Sequence, residues 1–185
     1  MWEFLGAIIL VVVLGVAATI GLMYNRLVTL RSRCENAWAQ IDVQLRRRYD
    51  LVPNLVATVK GYASHERETL EAVVAARQAA VDAKGVEARG AAENQLTGAL
   101  KSLFALAEAY PDLKANASFL DLQRQLVETE GKIAYARQFF NDSVMSLNMA
   151  IQQFPSNLVA MLFGFKEREY FEIEAAAAEP VAVSF

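Results

Sequence analysis

Cysteine and histidine are almost missing from this chain: Cys34 and His65 are the only residues of their types. A lone cysteine rules out an intrachain disulfide and agrees with a reducing compartment. A lone histidine cannot supply a two-histidine zinc motif. Nor can it supply the paired Glu-x-x-His motifs of a di-iron bundle, and Tyr62 stands three residues before it. No metal and no cofactor are expected. Proline is scarce, at four residues, and β-branched alternation is nearly absent after the first two dozen residues, which argues against sheet. A basic face is lacking too. Apart from Arg46-Arg47-Arg48, Lys and Arg are dispersed among acidic residues, so no nucleic-acid partner is expected. That triplet reads as a solvated helix end, with an anionic partner as the other reading. Neither a phosphate-cradling glycine loop nor a nucleophile elbow occurs.

Charge is missing most conspicuously from Phe4 to Met23. A run of about 20 apolar residues matches a hydrocarbon core of ~30 Å crossed as a helix. A cleavable signal peptide would begin with a basic stretch, and Met1-Trp2-Glu3 holds no Lys or Arg. Although Gly15-Val16-Ala17-Ala18 resembles a cleavage site, the membrane anchor is the better reading. Arg26, Arg31 and Arg33 follow the span and only Glu3 precedes it. The positive-inside rule then puts the C-terminal domain in the cytoplasm of a single-pass inner-membrane protein, with a three-residue stub outside. Trp2 and Tyr24 bracket the span where aromatic belts sit. The lipid partner is met through residues 4–23. Setting Glu3 aside with the anchor changes the formal net charge from −3 to −2.

What is abundant is helix-forming residue with one apolar face. Leu27, Leu30, Cys34, Trp38, Ile41 and Leu45 recur at spacings of three and four, continuing the anchor as one helix. Asp50 can cap a second helix with Pro53 in its first turn; an uninterrupted helix kinked at Pro53 is the alternative. The second stripe runs through Val52, Leu55, Val59, Tyr62, Leu70 and Val73 towards a stop at Lys84-Gly85. A third helix over about 88–109 ends before Pro111, and 110–116 reads as a loop. A fourth helix covers about 117–153, with Phe119, Leu122, Leu126, Ile133, Phe140, Val144, Leu147 and Ile151 on its core face. The expected fold is all-α. It has a transmembrane helix (1–23), an up-down antiparallel four-helix bundle (24–154), a short apolar helical segment (155–171) and an extended or disordered tail (172–185).

Ser156 can cap that short segment, which carries Leu158, Met161, Leu162, Phe163 and Phe165. Three surfaces could receive it: the base of the bundle, a neighbouring subunit, or the lipid interface.

Long stretches of this chain resemble the LemA family of bacterial membrane proteins. The first is Ala37-Trp38-Ala39-Gln40-Ile41-Asp42-Val43-Gln44-Leu45, followed by Tyr49-Asp50-Leu51-Val52-Pro53-Asn54-Leu55-Val56, Thr58-Val59-Lys60-Gly61-Tyr62-Ala63 and His65-Glu66. The second holds Thr129-Glu130, Ile133-Ala134, Ala136-Arg137, Phe140-Asn141-Asp142 and Asn148, then Phe154-Pro155 and Gly164-Phe165. The resemblance implies one N-terminal span, a short external N-terminus and a helical-bundle domain, with no established molecular activity. It also gives a context of envelope stress or membrane proteases. Tyr49 stands where the family often has His, which argues against chemistry there.

Catalysis finds little support. Cys34 lies on the apolar stripe, where thiols are inert, and His65 and Glu66, being adjacent, do not face each other on a helix. No catalytic residue is assigned. Polar residues within or beside the stripes, namely Gln40, Asp42, Glu130, Arg137, Asn141 and Asp142, are expected to form a structural network. Arg137 would pair with Asp42 or Glu130 to fix helix register. A polar ligand pocket is the alternative. The functional expectation is a non-enzymatic, self-assembling membrane scaffold, or an adaptor for another membrane protein. The alternative is a bundle that senses a ligand or lipid.

Overall fold

The structure, a computed structural model, describes residues 1–171, and the tail expected over 172–185 lies outside the described residues. The chain is all-α. Its helices are α1 (Trp2–Lys60), α2 (Arg67–Asp82), α3 (Val86–Ala107), α4 (Pro111–Lys114), α5 (Ala117–Gln152) and α6 (Ser156–Phe163), and no strand occurs among the described residues. They form two compact units. The first comprises Met1–Ala39 and Phe139–Arg168, the second Gln40–Gln138 and, of the described residues beyond, 169–171.

In the first unit α1 and α5 share an apolar seam. Leu27, Cys34 and Ala37 are buried on α1, as are Phe140, Val144 and Leu147 on α5. The Trp38 and Phe140 rings meet at 5.4 Å and 55°, a tilted arrangement that suits their quadrupoles. Asn148 fixes the returning chain: its Nδ2 donates to the Arg168 carbonyl and its Oδ1 accepts the Arg168 N–H, both at 2.9 Å. The Arg168 guanidinium then reaches Glu35 at 2.9 Å. Gly164 closes α6 at φ 70°, a left-handed conformation that a Cβ would strain.

In the second unit the core is formed by Ile41, Leu45, Val52, Leu55 and Val59 of α1 with Leu96, Leu100 and Leu103 of α3 and Leu126 and Ile133 of α5. α2 and α3 pack on each other across the connection Ala83–Gly85, where Gly85 takes φ 88°. Asn116 accepts the Phe119 N–H at 3.0 Å through its side chain and so caps α5. Pro111 opens the short α4 as well as ending the helix before it, so the expected loop over 110–116 contains a helical turn.

The helix break expected at Asp50 does not occur. α1 runs through Pro53 to Lys60, and the chain turns over 61–66 instead. A proline inside a helix leaves the carbonyl four residues earlier without its donor and costs about 3 kcal/mol. Here that carbonyl belongs to Tyr49, and Nε of Arg77 on α2 donates to it at 2.7 Å. A charged donor from a neighbouring helix thus replaces the missing N–H. Arg77→Met should destabilise the second unit by about 1.5–3 kcal/mol. In a Pro53→Ala background the loss should be smaller, because the new N–H at 53 can serve Tyr49. Urea titration of the four proteins in detergent, followed by far-ultraviolet circular dichroism, measures this coupling; equal losses in both backgrounds would refute the compensation.

Candidate functional site

The most constrained polar cluster is one the sequence reading missed. Arg48 is only 3% exposed and Glu93, on α3, only 5%. Arg48 therefore corrects the expectation of a solvated arginine triplet. It falls on the same stripe as Leu45 and Val52, three and four residues away, so its side chain is carried inward. Nη1 donates to Glu93 at 2.9 Å and Nη2 to the Thr97 hydroxyl at 2.8 Å. The half-exposed Glu130 of α5 lies 3.5 Å from Nη1. The Tyr49 hydroxyl donates to the other Glu93 oxygen, with the Ala80 carbonyl at 3.3 Å as a second acceptor. Four helices of the second unit are thus tied to one buried ion pair.

Burial is the main influence on these groups. It pushes the Glu93 carboxyl above its ordinary range, while the bond from Tyr49 and the charge of Arg48 pull it down without cancelling the rise. Burial, then the bond to Glu93, likewise pushes the Tyr49 phenol up. A phenol held protonated beside a buried ion pair is a structural donor rather than a base.

The expected network is distributed differently. Gln40, Asp42, Glu130 and Arg137 lie in the second unit, Asn141 and Asp142 in the first. Asp42 pairs with Arg89 of α3 at 2.8 Å and with Arg46 at 2.7 Å. Glu130 pairs with Arg48. Among the described residues Arg137 makes no ion pair within 4.0 Å with Asp42 or Glu130, although the Glu130 charge still acts on it; its guanidinium lies over the Phe171 ring, 5.0 Å from the centroid. The ion pairs that join α1 to α3 are consequently made by Arg89, which the sequence left unassigned, and Arg48, which it placed in solvent, because an interhelical partner cannot be inferred from one stripe alone. Asn141 is half-buried, and Gln40 and Asp142 are exposed.

Gln40 instead borders a surface groove of about 450 Å³ between α1 and α5 in the second unit. Val43, Gln44, Gly131, Lys132 and Tyr135 line it as well. Tyr135 is 73% exposed, and the space where a Gly131 Cβ would stand is open. Gln44 contributes a buried carbonyl oxygen that has no hydrogen-bond partner.

The two residues that a hydrolase would require have little to offer. His65 is exposed in the second unit, whereas Cys34 is fully buried in the first, with its thiol pushed up by burial. Among the described residues no group of three or more His, Cys, Asp or Glu is placed to hold a metal.

In the first unit the apolar segment 158–165 divides in two. Val159 and Ala160 are buried, while Leu158, Met161, Leu162 and Phe163 face outward. Phe163 and Phe165 meet the Tyr24 ring at 4.8 and 5.8 Å, and Arg31 lies over Phe165 at 5.4 Å. A second groove, of about 490 Å³, runs between α6 and the apolar part of α1.

These features define an all-α protein with one N-terminal helix long and apolar enough to cross a membrane. The chain belongs to the LemA family, whose sequence pattern matches residues 37–185. Magnetosome protein MamQ of Magnetospirillum gryphiswaldense is 27% identical, over 88% of this chain and 70% of its own length. Magnetosome protein MamQ 2 of Paramagnetospirillum magneticum is 26% identical, over 91% and 72%. Protein LemA of Metamycoplasma hominis is 28% identical, over 77% and 68%. None of these relatives carries an enzyme's name.

Proposed function

We propose that this protein is a non-enzymatic, membrane-anchored scaffold that self-assembles through the second unit of its helical bundle. An adaptor role towards another membrane protein uses the same surface. One observation carries the reading: the groove between α1 and α5 is flanked by exposed Val43 and Tyr135 around the open Gly131. A tyrosine and aliphatic residues ringed by Gln40, Glu128 and Lys132 have the composition of an interface core with a polar rim. The missing Cβ admits a partner helix at close range. The anchor is residues 4–23, and Arg26, Arg31 and Arg33 favour a cytoplasmic bundle in an inner membrane. That similar chains bear magnetosome names in some organisms and the LemA name in another favours a structural device over one fixed substrate.

The unpartnered Gln44 oxygen supports a second reading, in which the same groove receives a small ligand with a hydrogen-bond donor. Light scattering in mild detergent separates the two. Self-assembly predicts a protein mass at least about twice that of the 20.4 kDa chain after subtraction of the micelle. It also predicts a fall to one chain in the Val43→Glu, Tyr135→Glu double variant. A wild-type monomer would refute self-assembly.

A further inference from the structure

We infer that α6 is a second lipid-facing element, seated in the bilayer against the apolar segment of α1, with lipid acyl chains filling the groove between them. The inference rests on residues 4–23 being the anchor. It starts from depth. Val12, Val16 and Ile20 form one wall of the groove, Leu158, Val159 and Leu162 the other. The α1 wall extends from Val12 to Met23, about 16 Å of helix. That is roughly half the thickness of a hydrocarbon core. If these α1 residues stand in lipid, the α6 residues opposite them stand at the same level.

The chemistry of α6 fits that level. From Phe154 to Phe165 the chain has no charged residue. Its outer surface is Leu158, Met161, Leu162 and Phe163, with Met161 78% exposed. Of its two polar side chains, the Ser156 hydroxyl donates to the Ala150 carbonyl at 2.6 Å, and the Asn157 Oδ1 is buried away from the outer surface, though without a hydrogen-bond partner. Backbone groups inside a bilayer also need internal partners. At the start of α6 the Asn157 N–H donates to Gln153 and the Leu158 N–H to Pro155. At its end the Gly164 N–H donates to Met161 and the Phe165 N–H to Ala160. Above Phe165 the character changes abruptly to Lys166-Glu167-Arg168-Glu169. Tyr24, Phe163, Phe165 and Arg31 meet there, the aromatic and basic company of a headgroup region.

Lipid is favoured over a second protein copy because the groove is continuous with the exposed surface of the anchor. A water-filled groove would leave both apolar walls wet. The test uses the full chain with Cys34→Ala and one new cysteine, Leu158→Cys or Met161→Cys, labelled with an environment-sensitive fluorophore. The proteins are reconstituted into phosphatidylcholine–phosphatidylglycerol vesicles carrying an acyl-chain nitroxide. Val13→Cys marks the anchor and His65→Cys marks water, and a melting curve verifies each fold. Quenching at positions 158 and 161 should match that at 13 and exceed that at 65 several-fold. Quenching at 13 alone, with 158 and 161 reached by aqueous iodide, would overturn the inference and leave the anchor intact. So would shielding of 158 and 161 from both quenchers, which would mean that protein covers them. Loss of quenching at 13 would instead refute the anchor itself.

Discussion

Glu93→Ala should destabilise the second unit by about 3–5 kcal/mol, because it leaves the Arg48 guanidinium buried without its principal counter-charge. The loss should fall towards the lower end of that range, since Glu130 stands 3.5 Å from the same nitrogen and can take over part of the pairing. Tyr49 would lose an acceptor but keep the Ala80 carbonyl. The double replacement Arg48→Met, Glu93→Leu should recover most of the loss, as removing both charges also removes their desolvation cost. Chemical denaturation of the single and double variants forms the required cycle. Additive losses would show that the two residues do not act as a pair. Glu93→Gln gives a third comparison: it keeps an acceptor for Tyr49 but discards the charge, and should cost less than alanine. Because the folded Glu93 value lies above the unfolded one, its stability contribution is complete below the ordinary carboxyl range. It declines as pH rises through the folded value, so the glutamine variant should show a flatter stability profile there. Half-exposed Asp121 and exposed Glu128 act with opposite sign: their depressed values mean a contribution lost as pH falls.

Arg48 and Glu93 mark the boundary between what the sequence discloses and what it withholds. Apolar periodicity locates the long apolar start of α1, its continuation, and α5 to within a residue at its C-terminal end, and the Lys84-Gly85 stop signal locates the turn after α2. The same periodicity contained a signal for the ion pair. Ile41, Leu45, Arg48, Val52 and Leu55 form one stripe, and Arg89, Glu93, Leu96 and Leu100 form another, so each charge occupies an apolar position. Reading Arg48 by its neighbours Arg46 and Arg47, instead of by its stripe, concealed it. Pro53 failed for a different reason. A proline predicts a helix break from local sterics, and only the tertiary placement of Arg77 supplies the donor that lets α1 continue. The partners of Asp42 and Arg137 were likewise illegible, because several cations lie within helical reach and only packing selects among them.

Phe140→Ala should cost the first unit about 3–5 kcal/mol, the range for removing a large aromatic side chain from a packed core. Phe140 is among the largest fully buried side chains and meets Trp38 across the seam between α1 and α5. Val144 and Leu147, the next inward residues of α5, are already packed and cannot swing into the vacated space without abandoning their own contacts. Trp38 supplies a direct readout once Trp2, exposed at the other end of α1, is replaced by phenylalanine. Its emission should shift to the red as water or a mobile side chain takes the place of the ring, and thermal unfolding should begin earlier. The seam has a functional consequence as well. α5 delivers Asn148 to the Arg168 backbone and Gln152 to Glu167, so it brackets the segment that contains α6. Loosening α5 at Phe140 should therefore also lower lipid quenching at position 161. A fully destabilised seam with unchanged quenching would mean that α6 finds the bilayer by its own apolar surface and needs no placement by α5.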